Sequence, residues 1–170
     1  MCVSWPAHLR PLDVVWMGSM RRDRQEMIAA LGAAISPEKL DLSLQDDFGG
    51  SIGVFEYSNR MRRAVFAPCP FGNSDETHRF SEALFLGCIP VMLNSTFVHA
   101  LYETPNVLLA NDWSEAASLV TEKRKDHEYL ITVQRQLQHW HEKLIQCMQA
   151  DMQLILNRAP AQRCQSNQSK

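Results

Sequence analysis

The side chains best placed for chemistry are Arg79 and Glu82, within Phe71-Gly72-Asn73-Ser74-Asp75-Glu76-Thr77-His78-Arg79-Phe80-Ser81-Glu82. They stand three apart, so on a helix they share one face. Residues 72–77, with a glycine and several polar side chains, read as a loop that opens onto that helix. Such a loop offers unpaired backbone N–H groups and the positive end of the helix dipole to an anion. A guanidinium for phosphate and a carboxylate for sugar hydroxyls, set beside that loop, describe a nucleotide-sugar site.

By itself an Arg-x-x-Glu pair on a helix is a surface ion pair contributing about 0.3–0.5 kcal/mol. Its surroundings raise it above that reading. The apolar run at 64–67 precedes the loop as a buried strand. Gly87 follows as a helix C′ residue, and residues 89–93 read as a second buried strand entered at Pro90.

A second loop of the same kind lies upstream. Residues 12–17 form a short apolar run ended by Gly18-Ser19, and a helix is expected over 21–34 with Met27, Ile28, Leu31 and Ala34 on one face. Arg21, Arg22 and Arg24 crowd its beginning, where cations oppose the dipole. An anionic ligand would remove that conflict; solvation, or pairing with Asp23 and Glu26, is an equally weighted alternative. The candidate binding set is therefore Gly18, Arg24, Gly72, Asn73, Ser74, Asp75, Thr77, Arg79 and Glu82, with no catalytic residue nominated and no metal ligands.

Other elements must position these groups. Ser36-Pro37-Glu38 is a cap with a first-turn proline, residues 40–44 alternate as a half-solvated strand, and 46–50 form a loop. Residues 54–63 are helical, with Tyr57 and Met61 four apart; 97–102 are a short helix or loop; 106–110 are another strand. Asp112-Trp113-Ser114-Glu115 matches a capping box for a helix running to about residue 125. A long helix over 129–158 carries Leu130, Val133, Leu137, Trp140, Leu144, Cys147, Met148, Met152 and Ile155 at three- and four-residue spacing. Strands alternating with helices predict an open, mostly parallel, Rossmann-like α/β sheet followed by a long C-terminal helical segment. The expected layout is a lead-in over 1–11, one domain over 12–158 and a polar, frayed tail over 159–170. In such sheets ligands sit beyond the carboxyl ends of the strands, so both glycine loops fall on one functional edge.

Composition sets the outer bounds. The chain has 170 residues, 45% hydrophobic and 21% charged, which suits a single globular domain. A net charge of -2 gives no basic footprint and argues against nucleic acid as a partner. No apolar run approaches the roughly 20 residues of a membrane span. Residues 1–8 carry neither a charged leader nor an apolar signal core. The five cysteines lack any Cys-x-x-Cys pair, so Cys69 and Cys88 are read as buried packing groups.

The central stretch resembles the donor-binding half of the exostosin-like glycosyltransferases, a family of GT-B fold. The matching residues are Gly72, Asn73, Ser74, Arg79, Glu82, Ala83, Leu84, Gly87, Cys88, Ile89, Pro90 and Val91. The family's earlier strand–glycine–helix unit resembles residues 14–31, and its later Asp-Trp-Ser segment resembles Asp112-Trp113-Ser114. The resemblance implies that Arg79 contacts the diphosphate of a nucleotide-sugar donor and Glu82 its ribose. It also implies that side chains and helix dipole neutralise the donor without an obligatory metal or other cofactor. Other GT-B enzymes carry a further Glu at the position held here by Ser74. The implied partners are a nucleotide sugar and a glycan acceptor. A GT-B enzyme needs two α/β halves, and 170 residues suffice for one. An N-terminal domain outside this chain, or a partner glycosyltransferase chain, would supply the other half. The alternative is a non-catalytic domain that stabilises an active subunit. Taken as complete, the chain would be cytoplasmic; as a fragment, the resemblance implies the Golgi membrane.

The remaining polar candidates have plainer readings. Neither Arg79 nor Glu82 is expected to support the core. His78 is expected to be solvated or capping. His139 and His141 diverge on a helix and are expected to be exposed. Trp113 and Trp140 are expected to pack the core.

Overall fold

The computed structural model describes residues 5–44, 52–72, 78–95 and 107–158. The expectations for 46–50, 97–102 and the tail from 159 lie outside the described residues, as do Asn73, Ser74, Asp75 and Thr77 of the candidate site.

Five strands form one parallel sheet: β1 (Leu12–Gly18), β2 (Leu40–Leu44), β3 (Ala64–Pro68), β4 (Ile89–Leu93) and β5 (Leu108–Ala110), in spatial order β2-β1-β3-β4-β5. Every pairing is parallel, with Val14 opposite Leu40 and Phe66, Phe66 opposite Ile89, and Val91 opposite Leu108. A parallel strand covered on both faces reads as an unbroken apolar run, and β3 is buried at every position. β2 is an edge strand, half-buried at residues 40–43 and exposed at Leu44, without the alternation of faces that its sequence suggests.

Helices α1 (Arg24–Ala34), α2 (Val54–Arg62), α3 (His78–Phe85), α4 (Trp113–Lys123) and α5 (His127–Arg158) cover the sheet. The pleat divides β1 between two cores. Val14 and Trp16 join Met27 and Leu31 of α1, Trp113 and Val120 of α4, and Leu130, Val133 and Leu137 of α5. Val15 and Met17 join Met61 and Tyr57 of α2 with Ala83 of α3. Trp113 and Trp140 pack as expected, Trp113 fully buried and Trp140 edge-on to Phe80 at 6.4 Å.

The helix ends follow their capping residues. Asp112 Oδ1 accepts the Glu115 N–H at 2.8 Å, the expected N-cap bond. The Glu115 carboxylate reaches back one residue further than a capping box requires, to the Asn111 N–H at 2.7 Å. Gly87 takes φ 72, and the Gly87 and Cys88 N–H groups bond the Leu84 and Ala83 carbonyls, so the glycine ends the turn after α3 as its position implied. α1 starts at Arg24 rather than at 21, leaving Arg21 and Arg22 in the loop before it. Arg22 holds φ 45, a conformation few non-glycine residues adopt. α5 begins two residues earlier than expected, where the Asp126 carboxylate accepts the Tyr129 N–H at 2.9 Å.

The opposite edge of the sheet is fastened by a group that the sequence pattern did not single out. Arg10, 1% exposed, donates to the carbonyls of Ala64 (2.7 Å) and Leu86 (3.1 Å) at the entries to β3 and β4. Gln134 of α5 accepts the Ala7 N–H at 2.9 Å and donates to the Gly87 carbonyl at 2.8 Å. Beyond Trp140, α5 leaves the body of the domain, and Met148, Met152, Leu154, Ile155 and Leu156 are exposed.

Candidate functional site

The spatial order places β2 and β3 on either side of β1, so the chain winds outward in opposite directions from β1. The gap between β1 and β3 is the topological switch point, and ligands of such sheets sit there at the carboxyl ends of the strands. Three segments reach this edge: Gly18 with the loop into α1, Phe71-Gly72 after β3, and the first turn of α3.

Arg79 lies in that first turn and its side chain is only 16% exposed. One Nη2–H donates to the carbonyl of Met17, next to last in β1. An Nη1–H donates to the Tyr57 hydroxyl, and the guanidinium lies 5.0 Å from the Tyr57 ring centroid, a cation–π distance. The expectation that Arg79 is no support for the core is therefore corrected. A side chain long enough to cross from α3 to β1 ties α3, α2 and β1 together beneath the edge. Glu82 fits the original description better, with its side chain 42% exposed. Its Oε2 accepts the Tyr57 hydroxyl proton and lies 3.8 Å from Arg79 Nε, a long i,i+3 ion pair on one helix face.

Arg24 approaches from the other side of β1. Its Nη1–H groups donate to the Ser19 carbonyl at 2.7 Å and the Ser19 Oγ at 3.4 Å. Its guanidinium lies 5.8 Å from the Trp16 ring centroid. Burial lowers the pKa of Arg24; Asp23 opposes that shift, and the nearby Arg79 and Arg21 add to it. Arg24 Nε and Asp23 Oδ1 are buried without a hydrogen-bond partner among the described residues, while Asp23 Oδ2 accepts the Trp113 indole N–H at 2.8 Å. Residues 55 apart in sequence thus bring two guanidinium groups to one strand end, close enough for Arg79 to disfavour the charge on Arg24.

Gly18 has a packing reason as well as a place on the edge. A Cβ there would sit 2.9 Å from Trp16 Cζ2 and 3.3 Å from Cη2, and the ring is fully buried. Of the nine candidate residues, Gly18, Arg24, Gly72, Arg79 and Glu82 fall on the described part of this edge.

Tyr57 is the site residue that sequence reasoning missed. Its pairing with Met61 marked a helix face but not a role, because its partners lie 22 and 25 residues downstream. Burial raises the Tyr57 pKa, with Arg79 opposing and the hydrogen-bonded Glu82 adding to the shift, so the hydroxyl keeps its proton. Cys69, fully buried just past β3, is pushed up to about 12 by burial, which makes it a packing thiol. His139 is exposed as expected. His141 is partly covered, edge-on to Phe85 at 6.5 Å, and burial lowers its pKa. Among the described residues no three His, Cys, Asp or Glu side chains gather as metal ligands, and no helix is long and apolar enough to cross a membrane.

A family model for the exostosin GT47 domain matches residues 17–137, from the end of β1 into α5. This chain belongs to the exostosin GT47 family. The match takes in both arms of the edge, the β1–α1 loop with Arg24 and the α3 turn with Arg79 and Glu82. A protein of Arabidopsis thaliana named as a probable glycosyltransferase is 45% identical over 42 residues, which is 25% of this chain. The aligned part of this exostosin-family chain covers 8% of that relative's length.

Proposed function

We propose that the edge between β1 and β3 binds the nucleoside diphosphate of a nucleotide-sugar donor, for transfer of the sugar to a glycan acceptor. The observation that carries this reading is the convergence of Arg24 and Arg79 on the ends of one strand, at the switch point of an order 2-1-3-4-5 sheet. Two neighbouring guanidinium groups repel each other and are partly desolvated, and an anion of two or more charges between them relieves both costs. A diphosphate supplies that charge and matches the bidentate geometry of arginine.

In the transfer, the bond from the sugar's anomeric carbon to the β-phosphate oxygen breaks, and a bond to an acceptor hydroxyl oxygen forms. The acceptor proton passes to a base outside the described residues, and negative charge collects on the departing diphosphate. Arg79 and Arg24 stabilise that charge as it grows, which is electrostatic catalysis by groups held in place beforehand. Glu82 accepts hydrogen bonds from the ribose hydroxyls of the same donor. With the cations supplied by side chains, donor binding does not require a metal. Family membership supports the glycosyltransferase class. Transfer of a hexosyl or pentosyl group, a second α/β half on an N-terminal domain or a partner chain, and residence at the Golgi membrane are parts of the same proposal.

Isothermal calorimetry of this chain with uridine diphosphate, with and without excess EDTA, tests the reading. The expected result is the same 1:1 binding in both. Binding that vanishes on chelation would refute the metal-independent form, and no binding in either condition would refute the site.

A further inference from the structure

The geometry points to Tyr57 as a positioning residue that holds Glu82 ready for the donor's ribose; this inference rests on the donor-site reading above. Arg79 and Glu82 are three apart on one helix, and their charges left to themselves would close from a long i,i+3 ion pair into a hydrogen-bonded one. Such a pair would occupy the carboxylate and spend the guanidinium's positive charge on a neighbour instead of a ligand. The structure holds them at 3.8 Å, with the Tyr57 hydroxyl bonded to both. A phenol has one proton and two lone pairs. Here the proton goes to Glu82 Oε2 and one lone pair receives an Arg79 N–H, so the hydroxyl fixes the carboxylate from one side and the guanidinium from the other. Among the described residues none of these bonds uses Glu82 Oε1, the oxygen proposed to meet a sugar hydroxyl.

Tyr57 is itself well anchored. It sits in α2, four residues before the fully buried Met61, and packs with Val15 and Met17 of β1 and Ala83 of α3. Its ring also lies against the Arg79 guanidinium, so the hydroxyl has little freedom to leave the pair. Because burial raises the phenol's pKa, it stays a proton donor throughout the range in which proteins are assayed. Tyr57 therefore acts on the donor only through Glu82 and Arg79.

The test compares uridine diphosphate with its 2′,3′-dideoxy analogue, by calorimetry on the whole chain and on Tyr57→Phe, Glu82→Gln and the double variant. The unaltered chain should prefer the ribose form. Tyr57→Phe keeps the ring and removes one hydrogen bond to a charged group, and should shrink that preference about tenfold. Glu82→Gln should shrink it similarly, and the double variant should lose no more than the larger single change, because both act on one contact. Loss of fold stability alone would weaken both ligands equally and leave their ratio unchanged. An unchanged ratio in Tyr57→Phe would overturn the role of Tyr57 while the donor site stands. Equal binding of both ligands by the unaltered chain would remove the ribose contact from Glu82 and the proposal with it. Failure of the unaltered chain to bind uridine diphosphate would overturn the donor site itself.

Discussion

Arg79 donates an N–H from α3 to the carbonyl of Met17, joining the helix after β3 to the end of β1 across the switch point of the sheet. The side chain proposed to meet the donor's phosphates is therefore also part of the frame that holds this edge. Replacement of Arg79 and of Arg24 should differ for that reason. Arg79→Ala leaves the Tyr57 hydroxyl and the Met17 carbonyl short of a donor, and should lower stability by about 1–3 kcal/mol as well as weakening uridine diphosphate binding. Arg24→Ala removes hydrogen bonds to Ser19, the contact with the Trp16 ring face and the attraction to Asp23, and should weaken binding about tenfold with a smaller loss of stability. Urea melts and calorimetry on the two variants separate these effects. Equal stability losses, or normal binding by either variant, would contradict the assignment.

Gly18→Ala should be destabilising by about 1–3 kcal/mol, the usual range for forcing a methyl group into a filled core. The new Cβ would press on Trp16 Cζ2 at 2.9 Å, and the buried ring has no open side. A thermal melt of Gly18→Ala checks it; an unshifted midpoint would mean that the end of β1 yields more readily than its packing suggests.

The chain should lose stability on the alkaline side. Burial raises the pKa of Cys69 from 9.0 to about 12, and raises Cys88, Tyr57 and Tyr129 above their ordinary values. For a raised pKa the folded state keeps a proton that the unfolded state releases. The stabilisation is therefore complete below pH 9 and is lost as pH rises from 9 toward 12. Melting temperatures between pH 7 and 11 should be level at first and then fall, and Cys69→Ala should flatten part of the decline. A melting temperature that rises through this range would contradict the burial of these groups.

Much of the fold was legible because the features that build it are local. β3, β4 and residues 14–17 of β1 are continuous apolar runs, as strands covered on both faces require. Asp112 and Glu115 mark the start of α4 within a single turn. Arg79 and Glu82 were legible as a pair because three residues on a helix fix their shared face. What was not legible depends on partners distant in sequence. Arg79's hold on Met17 spans 62 residues, and Gln134's hold on Ala7 spans 127. No local pattern marks Arg10 as buried, since its acceptors are the entries to β3 and β4. The apolar spacing of α5 likewise continues past Trp140 without a break, although packing on the sheet side ends there. Periodicity reports which residues share a face, and not whether anything covers it.

The donor site at the β1–β3 edge is tested most directly by mapping where the ligand sits. A 15N-labelled sample of this 19.4 kDa chain, titrated with uridine diphosphate in EDTA, reports on the backbone amides one by one. The predicted result is saturable shifts at Gly18, Ser19, Arg24, Gly72, Arg79 and Glu82, with Arg10 and Gln134 at the opposite edge unmoved. Shifts concentrated at that opposite edge, or none at saturating ligand, would contradict the account.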